Sequence, residues 1–259
     1  IPSVSQPLET VPQPGLLGRK GYQPRGRTLG GSSSTNAMVY IRGQHADYNH
    51  WAAMGNPGWA WDDVLPYFRR AERNERLHDE WHSQSGPLNV VDLQSPNVFS
   101  RRFVDAAVQA GLPHNEDFNG ASQEGVGLYQ VTQRGGERFS AAKAYLTPNL
   151  DRPNLQVMTG VTAERIVLEG GVATAVQLVQ AGQRRCLTAR REIIVSAGAF
   201  QSPALLMRSG MGPGAHLQAM GIALQCDLPG VGENLHDHPD VVLVAEAASF
   251  ALFGISPAG

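Results

Sequence analysis

Cysteine is scarce in this sequence, since only Cys186 and Cys226 occur among 259 residues. Two such cysteines provide neither a disulfide framework nor a cysteine metal motif, so a reducing compartment is the simpler expectation. An excess of charge of one sign is also lacking, because 21 basic and 23 acidic residues leave a formal net charge of −2. Without a basic excess to neutralise phosphates, the sequence predicts no nucleic-acid partner.

Long apolar runs are absent as well. The longest candidate, Val241 to Phe253, is interrupted by Glu246 and Ser249 and falls short of the roughly 20 residues that span a bilayer. Residues 1 to 14 have no basic stretch followed by an apolar one, so they do not resemble a signal peptide. We therefore expect a cytoplasmic protein, with peripheral association at the inner membrane as an alternative. The chain begins without methionine and stops at Gly259 directly after an apolar stretch, so both ends are expected to be cut.

With 42% hydrophobic residues the chain can build a substantial core. Five prolines within residues 1 to 25 predict an extended arm. Charge order predicts a helix over 62–72, bent at Pro66. Apolar spacing predicts a helix over 99–110, with Phe103, Ala106, Ala107 and Ala110 on one face. The remaining predicted elements are strands at 155–158, 163–168, 173–180 and 191–196, a turn at Gly170–Gly171, and a helix from Ser202 to Arg208 capped by Ser202.

The segment from Gly26 to Asn36 is a loop of small residues, and two interpretations of it are possible. Composition alone would equally suit a flexible linker. However, the loop runs straight into the short apolar segment from Ala37 to Ile41, which a solvated linker has no reason to do. Glycine lets a backbone approach a ligand closely, so the context favours a loop that wraps a bulky apolar ligand.

Two long motifs then resemble one known family. The string GRTLGGSSSTNAMVYIRG at residues 26–43 resembles the first signature of the glucose-methanol-choline (GMC) oxidoreductases, and GAFQSPALLMRSGMG at 198–212 resembles the second. The resemblance covers nearly the whole chain from about Gly26. It continues through segments that include Leu65 to Phe68, Asp117 to Gly120, Arg152 to Leu155 and Val231 to His238.

The resemblance implies an α/β fold, in which a doubly wound FAD-binding domain is interleaved with a substrate domain on an antiparallel sheet, both incomplete in this chain. It assigns residues 1–60 to the FAD-binding portion with its N-terminal arm, 61–154 to the substrate domain, 155–240 to a second FAD-binding portion, and 241–259 to the start of a second substrate portion. It also implies flavin contacts, which fall on Thr28, Asn36, Ala37, Met38, Val39 and, beside the adenine, Ala163. From sequence alone, Met38 and Val39 would otherwise be taken as core residues.

Some family members attach FAD covalently to a histidine placed directly before the asparagine of the first signature. Thr35 occupies that position here, and a threonine hydroxyl is a poor nucleophile without an activating base, so non-covalent FAD is expected. The family's catalytic histidine is expected beyond Gly259. No residue of this chain is therefore assigned a catalytic role, and the piece alone is expected to be inactive.

Three other patterns are assigned no functional role. Residues 210–215 match the dinucleotide fingerprint in form, but they follow a predicted helix and contain Pro213, so they are set aside. His236 and His238 could be a metal pair, but no further ligands lie nearby in sequence, and no metal site is predicted. The scattered histidines His45, His50, His78 and His82 are interpreted as surface groups.

The resemblance implies that a primary alcohol is oxidised to an aldehyde by hydride transfer to FAD, with electrons passed to a quinone-like acceptor. Choline is the second choice of substrate, because the aromatic or acidic groups that bind a quaternary ammonium could not be identified. A hydroxynitrile-lyase-like enzyme with structural FAD and a stable remnant without enzymatic activity remain as alternatives.

Overall fold

The computed structural model describes residues 4–238 and 240–243. The chain divides into two compact units, and the division falls between Leu155 and Gln156. The predicted domain segment 241–259 lies mostly outside the described residues, and Val241, Val242 and Leu243 are exposed there. The assignment of the segments to flavin and substrate domains stays a prediction.

The first unit combines three helices with short strands. The helices are α1 (His45–Ala53), α2 (Trp61–Ala71) and α3 (Val98–Gln109), and the strands are β1 (Ser5–Gln6), β2 (Arg25–Gly26), β3 (Glu72–Asn74), β4 (Leu88–Val90), β5 (Gln133–Arg134) and β6 (Glu137–Arg138). Short 3₁₀ turns cover Pro14–Leu16, Gly31–Ser34 and Thr147–Asn149, and a π-helical turn covers Ala142–Leu146. Strands β1 and β2 pair antiparallel, so the proline-rich arm is a hairpin that returns to the small-residue loop.

Helix α2 confirms the helix predicted over 62–72. The Asp63 carboxylate accepts a hydrogen bond from the Ala60 amide at 3.2 Å, and Arg69 and Arg70 lie in the last turn, where cations complement the helix dipole. Trp61 at its start is 5% exposed and belongs to the core of this unit.

Helix α3 confirms the second predicted helix, and the face that carries its spaced apolar residues is mostly exposed. The Asn97 side chain caps it by accepting from the Phe99 amide at 2.8 Å, and Gly111 adopts φ +98° just past its end. Val104 is the buried residue, whereas Phe103 is 56% exposed. Three of the four residues on that face are alanines, and an alanine contributes little to the burial that orients a helix.

Three extended segments meet at the centre of the first unit. Val131 bridges Val39 on one side and Val91 on the other, both antiparallel. Strands β3 and β4 pair in parallel, and Val90, Val91 and Val131 are buried. The segment that follows the small-residue loop is therefore attached directly to the core.

The second unit contains a three-stranded antiparallel sheet. Its strands are β7 (Val161–Glu169), β8 (Val172–Gln180) and β9 (Gln183–Thr188), followed by α4 (Gly198–Arg208), β10 (Met211–Gly212), α5 (Gly214–Ala219) and β11 (Cys226–Asp227). The predicted turn at Gly170–Gly171 is confirmed, with both residues at positive φ. The Ser209 hydroxyl accepts from the Ile166 amide at 2.8 Å, which joins the end of α4 to β7.

Two predicted strands and one predicted helix start are wrong. Residues 155–158 and 191–196 are not strands, because no described strand lies alongside either segment and a strand needs a hydrogen-bonded neighbour. Ile194 is accordingly 77% exposed. Helix α4 begins at Gly198 rather than Ser202, and the Ser202 hydroxyl accepts from the Ala197 amide at 2.9 Å from within the first turns.

Candidate functional site

The small-residue loop is held by its own serine hydroxyls. Ser32 Oγ accepts from the Gly26 amide at 3.0 Å, and Ser34 Oγ donates to the Leu29 carbonyl at 2.8 Å. Ser33 Oγ donates to the Gly30 carbonyl at 2.5 Å and accepts from the Ala141 amide at 2.9 Å. These contacts fix the backbone of the loop, so the linker interpretation does not describe its structure.

Glycine is required at Gly26 because the chain folds tightly back on itself. A Cβ atom there would collide with the Gly31 carbonyl and would lie 2.7 Å from the Ser32 amide nitrogen. Gly30 has φ +88°, a conformation that residues with a side chain rarely adopt.

The segment after the loop is fixed at Asn36 and Met38. The Arg138 guanidinium donates to Asn36 Oδ1 at 2.8 Å and to its carbonyl at 2.7 Å, while Asn36 Oδ1 also accepts from the Met38 amide at 3.0 Å. Met38 has φ +64°, and its carbonyl accepts from the Thr132 amide at 2.9 Å. Among the described residues, the backbone N–H groups of Ala37 and Val39 have no hydrogen-bond partner.

Four of the five loop residues predicted to contact a flavin are exposed, namely Thr28, Asn36, Ala37 and Val39, and Met38 is half-buried. Val39 is 43% exposed, which contradicts the interpretation of this residue as core. Thr35 and Asn36 also line a cleft of about 650 Å³, whose other lining residues are Ser5, Pro7, Tyr22, Pro24, Arg25 and Ser32. The structure thus brings these loop residues together, and the backbone N–H groups of Ala37 and Val39 have no partner among the described residues. Whether they contact a flavin stays a prediction.

The sixth predicted contact, Ala163, lies in the second unit. It is half-buried in β7, and its carbonyl accepts from Arg208 Nη2 at 3.4 Å. It lines a cleft of about 660 Å³ together with residues of β7, β8, β9 and α4. Its role beside an adenine stays a prediction.

A buried ionic cluster, formed by Arg42, Glu72, His82 and Asp117, was missed from the sequence. Arg42 Nη2 lies 3.0 Å from Glu72 Oε2, and both side chains are at most 1% exposed. His82 Nδ1 lies 3.0 Å from Glu72 Oε1, and His82 Nε2 lies 3.1 Å from Asp117 Oδ2. The interpretation of His82 as a surface group is wrong, because it is fully buried between these two carboxylates. His45 is also partly buried and stacks on Trp61 at 4.0 Å, whereas His50 and His78 are exposed.

The electrostatics of this cluster follow from its geometry. Although burial opposes charging, the hydrogen bonds that His82 donates to the carboxylates of Asp117 and Glu72 raise its pKa from 6.5 to about 9. The same bonds lower the pKa of Glu72, assisted by Asn74 and Arg42, against the opposing effect of burial. The pKa of Asp117 is lowered by His82 and by the Asn119 amide, again against burial. At neutral pH the cluster holds two cations and two anions.

One sequence signal could have indicated the cluster. Glu72 and Asn74 alternate around Arg73 in a strand, so they share a face, and two polar residues facing a core need partners. Their partners come from positions distant in sequence, such as Gln130, whose Oε1 accepts from Asn74 Nδ2 at 2.7 Å.

Within the described chain, one further group of side chains has metal-ligand geometry, comprising Asp79, His82 and Asp117. Both ring nitrogens of His82 already hydrogen-bond to carboxylates, and Asp79 Oδ1 accepts the amides of Trp81 and His82 at 2.8 Å. The hydrogen bonds of these atoms are therefore formed without a metal ion. His236 and His238 are both exposed, and the His238 backbone amide donates to Asp237 Oδ1 at 2.9 Å.

The fingerprint-like segment at 210–215 follows helix α4, as predicted. It forms β10 and opens the six-residue helix α5, whose Gly214 amide donates to the Asp227 carboxylate at 2.9 Å. A carboxylate already occupies this helix start. Across residues 4–238 and 240–243, no helix is both long and apolar enough to cross a bilayer.

Comparison with known proteins identifies the family. The family model described as GMC oxidoreductase matches residues 16–240. Oxygen-dependent choline dehydrogenase from Rhizobium johnstonii is 49% identical over 227 residues, covering 88% of this chain and 41% of that protein. The enzyme of the same description from Brucella melitensis is 46% identical over 239 residues, covering 92% of this chain and 43% of that protein. The chain thus spans about two fifths of the length of these curated relatives.

Solved structures agree with this result. Pyridoxine 4-oxidase from Mesorbium loti matches with a TM-score of 0.82 and 35% identity, over 87% of this chain and 45% of that one. An FAD-dependent oxidoreductase from Chaetomium thermophilum matches with a TM-score of 0.83 and 30% identity, over 88% of this chain and 42% of that one. These likenesses confirm the predicted mixed α/β fold class. On the extent of the family match and the shared fold, the chain belongs to the GMC oxidoreductase family.

Proposed function

We propose that this chain is part of an enzyme that uses FAD to oxidise a primary alcohol to an aldehyde. One observation carries the proposal beyond family membership. The fixed segment from Asn36 to Val39 is mostly exposed, and it presents the N–H groups of Ala37 and Val39, which have no hydrogen-bond partner among the described residues. Backbone donors on a rigid segment suit the polar edge of a flavin ring.

The residues present fit FAD. Thr28 and the segment Asn36 to Val39 would hold the cofactor in the first unit, and Ala163 is proposed to contact the adenine. FAD supplies the acceptor for the hydride removed from the alcohol carbon. This chain would position the cofactor and donate hydrogen bonds to it, while Gly26 and Gly30 allow the tight backbone turns that shape the loop. We assign the proton-accepting role to no residue of the chain.

Non-covalent attachment is part of the proposal. Thr35 is exposed, and its hydroxyl donates a long hydrogen bond of 3.4 Å to the Ser32 carbonyl. A hydroxyl without a base to remove its proton does not form a bond to the flavin.

Two finer points concern substrate and acceptor. The resemblance favours an uncharged primary alcohol as substrate, with choline as the second choice. The names of the relatives from R. johnstonii and B. melitensis support including choline in the test. A quinone-like acceptor is proposed from the sequence, whereas those names specify oxygen for the relatives themselves. Peripheral association with a membrane would accompany a quinone acceptor.

The test uses the full-length protein. Purified holoenzyme is mixed without oxygen with a medium-chain primary alcohol or with choline, and loss of flavin absorbance is followed. Alcohol-dependent bleaching supports the proposal, while a flavin that stays oxidised with every alcohol overturns it and leaves a lyase with structural FAD. Comparing kcat/KM for the two substrates, with oxygen and with a soluble quinone, then decides substrate and acceptor. A large preference for choline, or rapid peroxide formation, would contradict the respective finer point.

A further inference from the structure

We infer that the cluster of Arg42, Glu72, His82 and Asp117 is a charge-balanced clamp that positions the flavin-binding segment, with His82 acting as an imidazolium positioning residue. The inference rests on the proposed function, because it assigns the segment from Asn36 to Val39 to a flavin. None of the four side chains belongs to that segment, so the action is indirect.

The hydrogen-bond geometry requires both ring nitrogens of His82 to be donors. Each nitrogen faces a carboxylate oxygen, Glu72 Oε1 at 3.0 Å and Asp117 Oδ2 at 3.1 Å, and an ionised carboxylate can only accept. A neutral imidazole carries one proton and would leave one of these contacts without a donor. The groups that face the ring come from several segments: Glu72 and Asn74 from β3, Asp117 from the loop after His114, and Asp79 from its own loop.

The clamp reaches the flavin-binding segment through Arg42 and Asn119. The Arg42 guanidinium donates to Glu72 and, at 2.9 Å, to the Trp81 carbonyl, while the Arg42 amide donates to Asn119 Oδ1 at 2.7 Å. Asn119 also donates to the Tyr40 carbonyl at 3.1 Å, and its own amide donates to Asp117 at 2.9 Å. Residues 40 and 42 are thus held at the end of the segment that begins at Asn36.

Charge balance makes the clamp depend on His82. Removing the imidazolium charge would leave the buried Glu72 carboxylate and the partly buried Asp117 carboxylate facing one guanidinium, and an uncompensated buried charge disrupts the structure around it. Removing one carboxylate together with the imidazolium would restore the balance, with Arg42 and Glu72 remaining as a pair.

The experiment compares three variants of the full-length protein: His82→Gln, the double variant His82→Gln/Asp117→Asn, and His78→Gln as a control, because His78 is exposed and four residues away. FAD affinity is measured by quenching of flavin fluorescence from pH 6 to 10. We expect FAD to bind on the order of tenfold more weakly to His82→Gln than to the wild type, and the double variant to recover much of that loss. In the wild type, affinity should fall above about pH 9, and this inflection should be missing in both His82 variants.

The outcomes are distinct. If the wild type and His82→Gln have the same FAD affinity and the same pH profile, the proposed clamp is overturned. A double variant that binds FAD more weakly than His82→Gln would also overturn it. If the wild-type protein binds no FAD, the proposed function fails. The protonation state of His82 is measured separately from its ¹⁵N ring resonances in the full-length protein, which are assigned by comparison with His82→Gln. A neutral ring at pH 7 would overturn the proposal that His82 is an imidazolium.

Discussion

The buried position of His82 leads to a specific dependence of stability on pH. Its pKa is about 9 in the folded protein and about 6.5 when unfolded. Because the folded pKa is the higher one, the stabilisation is complete below pH 6.5, where both states hold the proton. It is lost between pH 6.5 and 9, where unfolding releases a proton, and it is absent above pH 9. A difference of about 2.5 pH units corresponds to about 3 kcal/mol.

The carboxylates of the cluster act at the opposite end of the pH range. The pKa values of Glu72 and Asp117 are lowered on folding, so their contribution is complete above the ordinary carboxyl range and is lost as the pH falls below about 4. The cluster therefore stabilises the first unit most strongly between about pH 5 and 6.5. The side chains of Arg42, Glu72 and His82 are at most 1% exposed, so salt should screen the interactions among these three side chains little.

The assay is urea unfolding of the full-length protein at pH 6.5 and pH 9.5, for the wild type, His82→Gln and His78→Gln. We expect the free energy of unfolding to fall by about 3 kcal/mol more in the wild type than in His82→Gln across this interval. His78→Gln should behave as the wild type, since its side chain is exposed. An identical change in the wild type and His82→Gln would refute the reasoning, because the proton released on unfolding would then not come from His82.

Three further predictions concern other parts of the chain. Gly26→Ala should strain the loop by about 1–3 kcal/mol and weaken FAD binding roughly tenfold, whereas Gly15→Ala, where nothing lies within 4 Å, should leave flavin titrations unchanged; equal effects would argue against a tight loop. Leu217→Ala should cost about 2–5 kcal/mol in urea unfolding because Leu217 is 0% exposed, and Met220→Ala, at 64% exposed, should cost under about 0.5 kcal/mol; similar losses would contradict the assigned core. Acid precipitation of the holoenzyme should leave yellow FAD in the supernatant because Thr35 offers no attachment, and colour that remains in a washed pellet would contradict this.

Local patterns alone determined a large part of the structure. The charge order of residues 62–72 predicted α2, the apolar spacing of residues 99–110 predicted α3, and Gly170–Gly171 predicted the turn between β7 and β8. These signals act within a few turns of the chain. The first signature also predicted a loop built for close approach, and the serine hydroxyls that fix it lie within a few residues of their partners. Short-range contacts of this kind can be predicted from the sequence, because both partners lie within one local segment.

Only the tertiary structure decided which polar residues are buried together. His82 is ordinary in its local sequence, and its burial depends on Glu72 and on Asp117, which lies 35 residues further along the chain. Likewise, residues 191–196 have strand-forming composition but no described neighbour to pair with, since a strand depends on the partner beside it more than on its own residues. The sequence by itself determined the family, the loop and the local elements. Long-range packing determined the charged cluster of Arg42, Glu72, His82 and Asp117, because the free energy of a buried charge depends on its spatial neighbours.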